Sequence, residues 1–413
     1  VSKSARTPDV LVIGAGAAGL ACARDLLTAG LDVEVVEASD GVGGRMRTDR
    51  VDGFVVDRGF QVFNTSYPQV KRRLALRGLR PVPFTPGVLV HAADRGTLRF
   101  GDPSRRPGTL PGLLTGRLAG PRDLAALGVL SARTALGPAA ALKRAPERTT
   151  RTALADAGFS EAFVERFFRP FLSGVFLEDG LETSSRFFHL VWRSMLRGTL
   201  CLPAEGIGAV PLALADALPP GTVRLETPVA ALTEDGAVTE DGREVAAPTV
   251  VVATGWGPAA RLLPGLPVPD GRTVTTYYHV APRPPLREPT LLVDERRRFL
   301  NTCVLSEVVA GFAPRGSALV ATSVLGTDTE GRQRTVLDAL AEAYHADTGG
   351  WDLLTVRTVP DALPAMAPPQ PLSRTSRFGP GRHVCGDHRA TGSVQGALAS
   401  GARAAREILR DRR

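Results

Sequence analysis

The feature that most constrains this chain is the hexapeptide Gly14-Ala15-Gly16-Ala17-Ala18-Gly19, read together with its flanks. Val10–Ile13 is a short, wholly apolar run that predicts a buried strand. Ala17–Ala29 predicts a helix, with Gly30 placed to end it. Asp32–Glu37 predicts a second strand, which closes a strand–helix–strand unit of about 30 residues. Gly14 permits a tight turn, Gly16 lets backbone approach a pyrophosphate, and Gly19 lets helix and strand pack closely. The helix start offers unpaired N–H groups and partial positive charge to phosphate. Glu37 ends the second strand, where a carboxylate accepts hydrogen bonds from a ribose and disfavours a 2′-phosphate. The unit therefore predicts a dinucleotide site, and one that is not built for NADP.

The residues that follow choose between NAD and FAD. They read Glu37-Ala38-Ser39-Asp40-Gly41-Val42-Gly43-Gly44-Arg45. A second glycine pair permits another close backbone approach, and a guanidinium can pair two phosphate oxygens. This stretch resembles the extended fingerprint of the FAD-containing amine oxidase superfamily. That superfamily includes monoamine and polyamine oxidases, protoporphyrinogen oxidase, phytoene desaturases and carotenoid isomerases. Asp57-Arg58-Gly59-Phe60-Gln61 is similar to the family segment that passes the isoalloxazine ring, although the same residues also suit an ordinary turn. Thr227-Pro228-Val229, with Val250–Gly255 after it, resembles the central segment, in which backbone near Val229 meets adenine. Gly386-Asp387 and Ser393-Val394-Gln395-Gly396-Ala397 resemble the closing motif.

The resemblance implies an α/β fold, with a Rossmann-type FAD domain interwoven with an α+β substrate domain. It implies cofactor contacts from Gly14, Gly16, Ala17, Ala18, Gly19, Glu37, Ala38, Gly43, Gly44, Arg45, Gly59, Phe60, Gln61, Val229, Gly386, Asp387, Val394 and Gln395. Asp387 would meet the ribityl or pyrophosphate portion. The Val394 and Gln395 N–H groups would meet the pyrimidine edge, where a helix N-terminus stabilises negative charge on reduced flavin.

The chain also departs from the family. The oxidases of the superfamily carry a substrate-domain lysine near flavin N5, but lysine occurs here only at Lys3, Lys71 and Lys143. The strand expected to host it, Val274–Val280, offers threonine, tyrosine and His279 instead. No cysteine lies between Cys303 and Cys385, so non-covalent FAD is expected. Trp256, Tyr277, Tyr278, Tyr344 and Trp351 are the aromatic residues weighed for sandwiching an amine, and no pair is assigned. His189, His279, His383 and His388 are candidates for proton transfer. His388 stands out because it adjoins Asp387. Arg186 is read either as facing the substrate or as a structural ion pair. His388, His279 and Arg186 are the candidate catalytic residues, none is assigned a role, and no metal site is expected.

Along the chain, Leu89–Phe100 predicts a hairpin and residues 105–198 a mostly helical region. Phe159, Phe163, Phe167, Phe168, Phe171 and Phe176 are spaced for one helical face, as core packing or as the wall of an apolar cavity. Thr302–Val309 is expected to be one strand. Proline and glycine clusters at Pro258–Gly271 and Pro360–Pro371 are expected to mark domain crossings. The expected FAD domain is discontinuous, over residues 1–88, 204–270 and 360–413, with the substrate domain at 89–203 and 271–359. The net charge of +8 is carried almost wholly by arginine, without a basic stripe interleaved with aromatics, so no nucleic acid partner is expected. The four cysteines form no CxxC pair and read as buried thiols. With no long apolar run and no apolar leader over Val1–Pro8, a cytoplasmic protein is expected, with weak membrane-surface association kept open.

The expected activity is FAD-dependent desaturation of a hydrophobic small molecule, such as a terpenoid, a carotenoid or another secondary metabolite. Oxygen, a quinone or another acceptor would reoxidise the flavin. Oxidation of an amine or amino acid is the alternative. A flavoprotein isomerase, or a non-turnover subunit of a biosynthetic complex, is a third. The oligomeric state is left open.

Overall fold

A computed structural model describes residues 7–101, 105, 106, 108 and 118–413. Val10–Ile13 and Thr249–Val252 are buried along their whole length, as central parallel strands require. They lie side by side in a six-stranded sheet whose order is Val223–Arg224, Val33–Val36, Val10–Ile13, Thr249–Val252, Arg382–Val384 and Arg377–Gly379. Five of these strands are parallel, and Arg377–Gly379 is an antiparallel edge. The sheet thus joins the start, middle and end of the chain.

The helices Ala17–Thr28 and Val394–Asp411 pack together on this sheet. Their core holds Leu20, Cys22, Leu26, Leu398, Ala405 and Ile408. Leu11, Ile13, Val250 and Val252 face the other way, onto a three-stranded meander and the helix Trp256–Leu262. The two helices touch backbone to backbone. A Cβ added at Gly401 would stand 2.0 Å from the Ala18 carbonyl oxygen.

The second large sheet has seven strands, in the order Asp352–Pro364, Gly271–Ala281, Ala318–Leu325, Asn301–Val304, Leu292–Asp294, Gly87–Ala92 and Gly96–Gly101. One face lies beneath the helix Arg332–Tyr344, with Tyr277, Ala281, Val320 and Leu340 in the contact. The opposite face is shared by two covers. The segment Phe54–Val62 packs with Tyr278, Cys303 and Ala321 at one end. The helical layer packs with Val88, Val90, Leu98 and Val293 at the other.

Two expectations are corrected. Thr302–Val309 is not one strand, because the strand ends at Val304 and Leu305–Val308 is a helical turn. Helical spacing brings Leu305 and Val308 to one side, where both are buried, and a strand could not do so. Pro360, the first residue of a cluster expected to mark a domain crossing, does not interrupt its strand. It lies inside the strand Asp352–Pro364, which is an edge strand with a register shift opposite Arg272–Val274, a place that tolerates proline. The phenylalanine run is not a single regular helix. A π-helical turn over Val164–Phe168 separates Glu161–Phe163 from Arg169–Phe176. The wider turn lets the neighbours Phe167 and Phe168 both point inward. Phe163 stacks on Phe167 and Phe167 on Phe171, so the set is largely its own core.

Among the described residues, no helix is long and apolar enough to cross a membrane. The contact between the two helices makes a testable prediction. Gly401→Ala should destabilise the protein by about 1–3 kcal/mol, read as a lowered denaturant midpoint, because backbone rather than a flexible side chain must give way.

Candidate active site

The carboxyl ends of the parallel strands open onto a crevice, the place where sheets of this kind bind ligands. The Ala15 N–H donates to Glu37 Oε2 at 2.7 Å, while Glu37 Oε1 accepts from the Ser39 N–H and hydroxyl at 3.0 and 2.8 Å. The Glu37 carboxylate is therefore fixed in place beside the glycine turn. The Thr227 N–H donates to the Glu37 carbonyl at 2.8 Å, which brings Val229 and its neighbours to the same end. Ala38 is exposed there.

The glycines differ in what surrounds them. A Cβ at Gly19 would stand 2.0 Å from the Gly14 carbonyl oxygen, so Gly19 serves helix–strand packing. A Cβ at Gly16 would meet nothing within 4 Å. One at Gly44 (φ +58°) would meet only the Gly16 Cα, at 3.8 Å. The two glycines thus bound a bare backbone slot. Gly16 begins the helix with no side-chain cap, and its first turn has no acidic residue. Such a slot fits a pyrophosphate: open space, free N–H donors and a helix dipole.

A second convergence lies at Arg45. Its Nη2 donates to Asp387 Oδ1 at 2.6 Å, and its Nη1 to the Ala362 carbonyl at 2.7 Å. Its guanidinium lies 5.3 Å from the centre of the Trp256 ring. Gln61 Nε2 donates to the Arg45 carbonyl at 2.8 Å. Gly386 adopts φ +155°, and a Cβ there would meet the His388 ring at 2.5 Å. At the last helix, the Ser393 hydroxyl accepts from the Gly396 N–H at 3.0 Å. The Val394 and Gln395 N–H groups are left without an intrahelical acceptor. Gln395 Oε1 accepts from the Gln69 N–H at 2.9 Å.

Gly59 and Phe60 lie against the second sheet. The Phe60 N–H donates to Thr276 Oγ1 at 3.4 Å, and a Cβ on Gly59 would meet Val359 Cγ2 at 3.0 Å. The Tyr278 hydroxyl donates to the Asp57 carbonyl at 2.8 Å. The Asp57 carboxyl is buried and pushed up to about 6 by burial, against the pull of its Thr48 and Ile207 donors. The face with Thr276 and Tyr278 is therefore the one that packs against the Asp57–Phe60 segment. Thr276, Ser323 and Asn301 on that face were missed by the sequence reading. Each has a threonine beside it in its strand (Thr275, Thr322 and Thr302), so no alternation of polarity marks them.

His388 stays beside the Arg45 convergence, 6.1 Å from the Trp256 ring, while the other titratable candidates are placed elsewhere. His279 lies on the far face, with Tyr277 and Trp351 rings 6.3 and 6.4 Å away, and burial pushes it down to about 4. His388 is enclosed, with neither ring nitrogen hydrogen-bonded, and burial again pushes it down to about 4 despite Asp387. His383 Nδ1 meets the Ser376 hydroxyl at 3.1 Å. His189 has an enclosed Nδ1 without a hydrogen bond and is lowered by burial. Arg186 donates from Nε to the Ala145 carbonyl at 2.6 Å and pairs with Glu147 at 3.4 Å, a structural role. Tyr277, Tyr344 and Trp351 share the far-face core, so they do not flank the crevice. All four cysteines are buried, and burial raises each thiol.

The flavin containing amine oxidoreductase family matches residues 17–409. The chain belongs to this family. Its cofactor is accordingly FAD. Local similarity reaches 38% identity over 97 residues with putrescine oxidase from Kocuria rosea, covering 23% of the chain and 20% of that protein. It reaches 36% over 106 residues with a zeta-carotene-forming phytoene desaturase from Myxococcus xanthus, covering 24% and 20%. The matched segments thus span about a fifth of the length of these curated relatives. The fold is similar to that of an oxidoreductase from Methanosarcina mazei, with a TM-score of 0.75 at 18% identity over 97% of this chain and 99% of that one.

The two roles of glycine separate experimentally. Gly16→Ala should change the stability of the apoprotein by no more than about 1 kcal/mol and weaken FAD binding at least about tenfold. Gly19→Ala should cost the fold itself, read as loss of soluble protein or a lowered melting temperature in the apoprotein. The histidines set a pH dependence. Their pKa values are lower in the folded state, so the stability they confer is present above about 6.5 and lost as pH falls towards about 4. His279→Phe should flatten that acid limb in melting curves recorded between about pH 7 and pH 4.

Proposed function

We propose that the protein is an FAD-dependent dehydrogenase that desaturates a hydrophobic small molecule, in the class of terpenoids, carotenoids and other secondary metabolites. The observation that carries this reading is the strand face beside Gly59 and Phe60. By register it presents Val274 and Thr276 next to Leu325 and Ser323, with Tyr278 and Ala321 beyond them packed beneath Phe54–Val62. These strand positions have neither lysine nor carboxylate, so they offer no anionic partner for an ammonium and no lysine-bound water.

When bound non-covalently, FAD would supply a two-electron, hydride-accepting ring that oxygen, a quinone or another acceptor reoxidises. This chain's residues do the rest. Gly14–Gly19, Gly43 and Gly44 would cradle the pyrophosphate, Glu37 the ribose, and Ala38 and Val229 the adenine end. Arg45 and Asp387 form an ion pair positioned to meet the phosphate or ribityl portion. Gly59, Phe60 and Gln61 would line the ring, and the Val394 and Gln395 N–H groups its pyrimidine edge. Gly386 keeps the backbone there free of a side chain. Residues 1–88, 204–270 and 360–413 would form the FAD domain, and 89–203 and 271–359 the substrate domain.

A second reading, amine oxidation, is favoured by the similarity to putrescine oxidase. Anaerobic mixing of the FAD-loaded protein with a polyene panel and an amine panel separates the two. Bleaching of the flavin by a polyene, with no peroxide from any amine in air, is expected. Peroxide formation from an amine would overturn the desaturase reading.

A further inference from the structure

The helix Pro121–Leu136 turns one face away from the rest of the molecule. Ala125, Val129, Ala132 and Leu136 recur at intervals of four, three and four residues, which places them within about 60° of one another around the helix axis. All four are exposed, Val129 at 58% and Leu136 at 86%. The opposite side carries Asp123, Leu130 and Thr134, which are buried. Leu130 packs into the phenylalanine layer, with Leu124 and Leu127 beside it. The apolar stripe is therefore no part of the core. The short helix Ala139–Arg144 continues the same surface with exposed Ala140 and Ala141.

The exposed charge around the stripe has one sign. Asp123 is the only carboxylate from Pro121 to Arg144, and it faces inward, accepting from the Ser160 N–H and hydroxyl at 2.7 and 2.8 Å. Arg122, Arg133, Lys143 and Arg144 are exposed. Arg133, Lys143 and Arg144 form no ion pair among the described residues, whereas exposed arginines such as Arg99 and Arg377 are matched, with Glu288 and Asp411. The end of the longer helix is also satisfied from within. Arg193 Nη1 lies 2.6, 3.1 and 2.7 Å from the carbonyl oxygens of Thr134, Ala135 and Gly137. A helix leaves its last carbonyls without an N–H partner, and here three carbonyls at that end already have a donor. Leu136 can enter an apolar medium without stranding them.

We infer that this face docks on an anionic lipid surface. No helix among the described residues is long and apolar enough to cross a bilayer, and an apolar stripe with a cationic border is the pattern of a helix lying in the interface. Val129 and Leu136 enter the headgroup boundary, while Arg133, Lys143 and Arg144 meet the negative charge of the lipid headgroups. The same unpaired cations oppose a second copy of this chain as the occupant, because two like faces would bring them together. Such docking does not depend on the substrate proposed above.

Co-sedimentation of the FAD-loaded protein with vesicles tests this, using phosphatidylcholine alone and phosphatidylcholine with roughly one-third phosphatidylglycerol. Binding to the anionic vesicles should be at least about tenfold stronger and should weaken with added salt. Leu136→Glu should weaken it at least about tenfold and Lys143→Glu at least about fivefold, with FAD content and melting temperature at wild-type values. Arg334 is exposed and in no ion pair among the described residues, on the helix Arg332–Tyr344 that covers the other face of the seven-stranded sheet. Arg334→Glu makes the same change in net charge as Lys143→Glu and should alter binding by less than about twofold. Equal affinity for the two vesicle types, or binding to neither, would overturn the docking. Equal losses from Arg334→Glu and Lys143→Glu would overturn it too, by tracing binding to net charge rather than to this face. A dimer in lipid-free solution that Leu136→Glu disperses would assign the stripe to a second copy instead.

Discussion

Backbone meeting backbone without a side chain between is the constraint on which this structure depends. Gly19 closes the first helix onto the turn at Gly14, and Gly401 closes the last helix onto the first at Ala18. At each contact an added Cβ would sit about 2 Å from a carbonyl oxygen. These approaches set the height of both helices over the six-stranded sheet. They thereby set where the two helix N-termini stand, at Gly16 and Ser393. The crevice between those N-termini exists because two glycines hundreds of residues apart admit the contact.

Charge is arranged around the crevice in one long-range pair and several neutralised groups. Arg45 and Asp387 join the fingerprint to the closing motif across almost the whole chain. The carbonyl of Ala362 and the ring of Trp256 hold the same guanidinium from other sides. Elsewhere burial suppresses ionisation, so His279 and His388 are neutral at physiological pH and the thiols stay protonated. A site of this type asks little of acid–base side chains when the cofactor carries the chemistry. What remains for the protein is shape, orientation and a few donors.

The nucleotide half was readable because its physics is local. Gly14, Gly16, Gly19 and Glu37 act within one strand–helix–strand unit, and Arg45 follows within the next turn. The reading was weaker wherever contacts between distant segments decide. The apolar run Thr302–Val309 had the composition of a strand, yet packing of Leu305 and Val308 into the core made its second half a helical turn. Pro360 lies in a strand because that strand is at the sheet edge, a placement that local sequence does not reveal. His388 drew attention through its neighbour Asp387, but sequence adjacency does not say that the ring is enclosed.

The sequence by itself determined the dinucleotide unit, the FAD resemblance of Gly43-Gly44-Arg45, and the shortage of lysine. Each follows from residue identity at short spacing. The tertiary structure decided which face of the strand Gly271–Ala281 meets the Asp57–Phe60 segment. Residues two apart in a strand share a face, but which face meets which neighbour is set by other segments. Here Phe60 and Gly59 lie on the side of Thr276 and Tyr278, while Tyr277 and His279 turn to the helix beneath. Register across three strands then aligned Thr276, Ser323 and Asn301, residues too far apart in the chain for any local pattern to join.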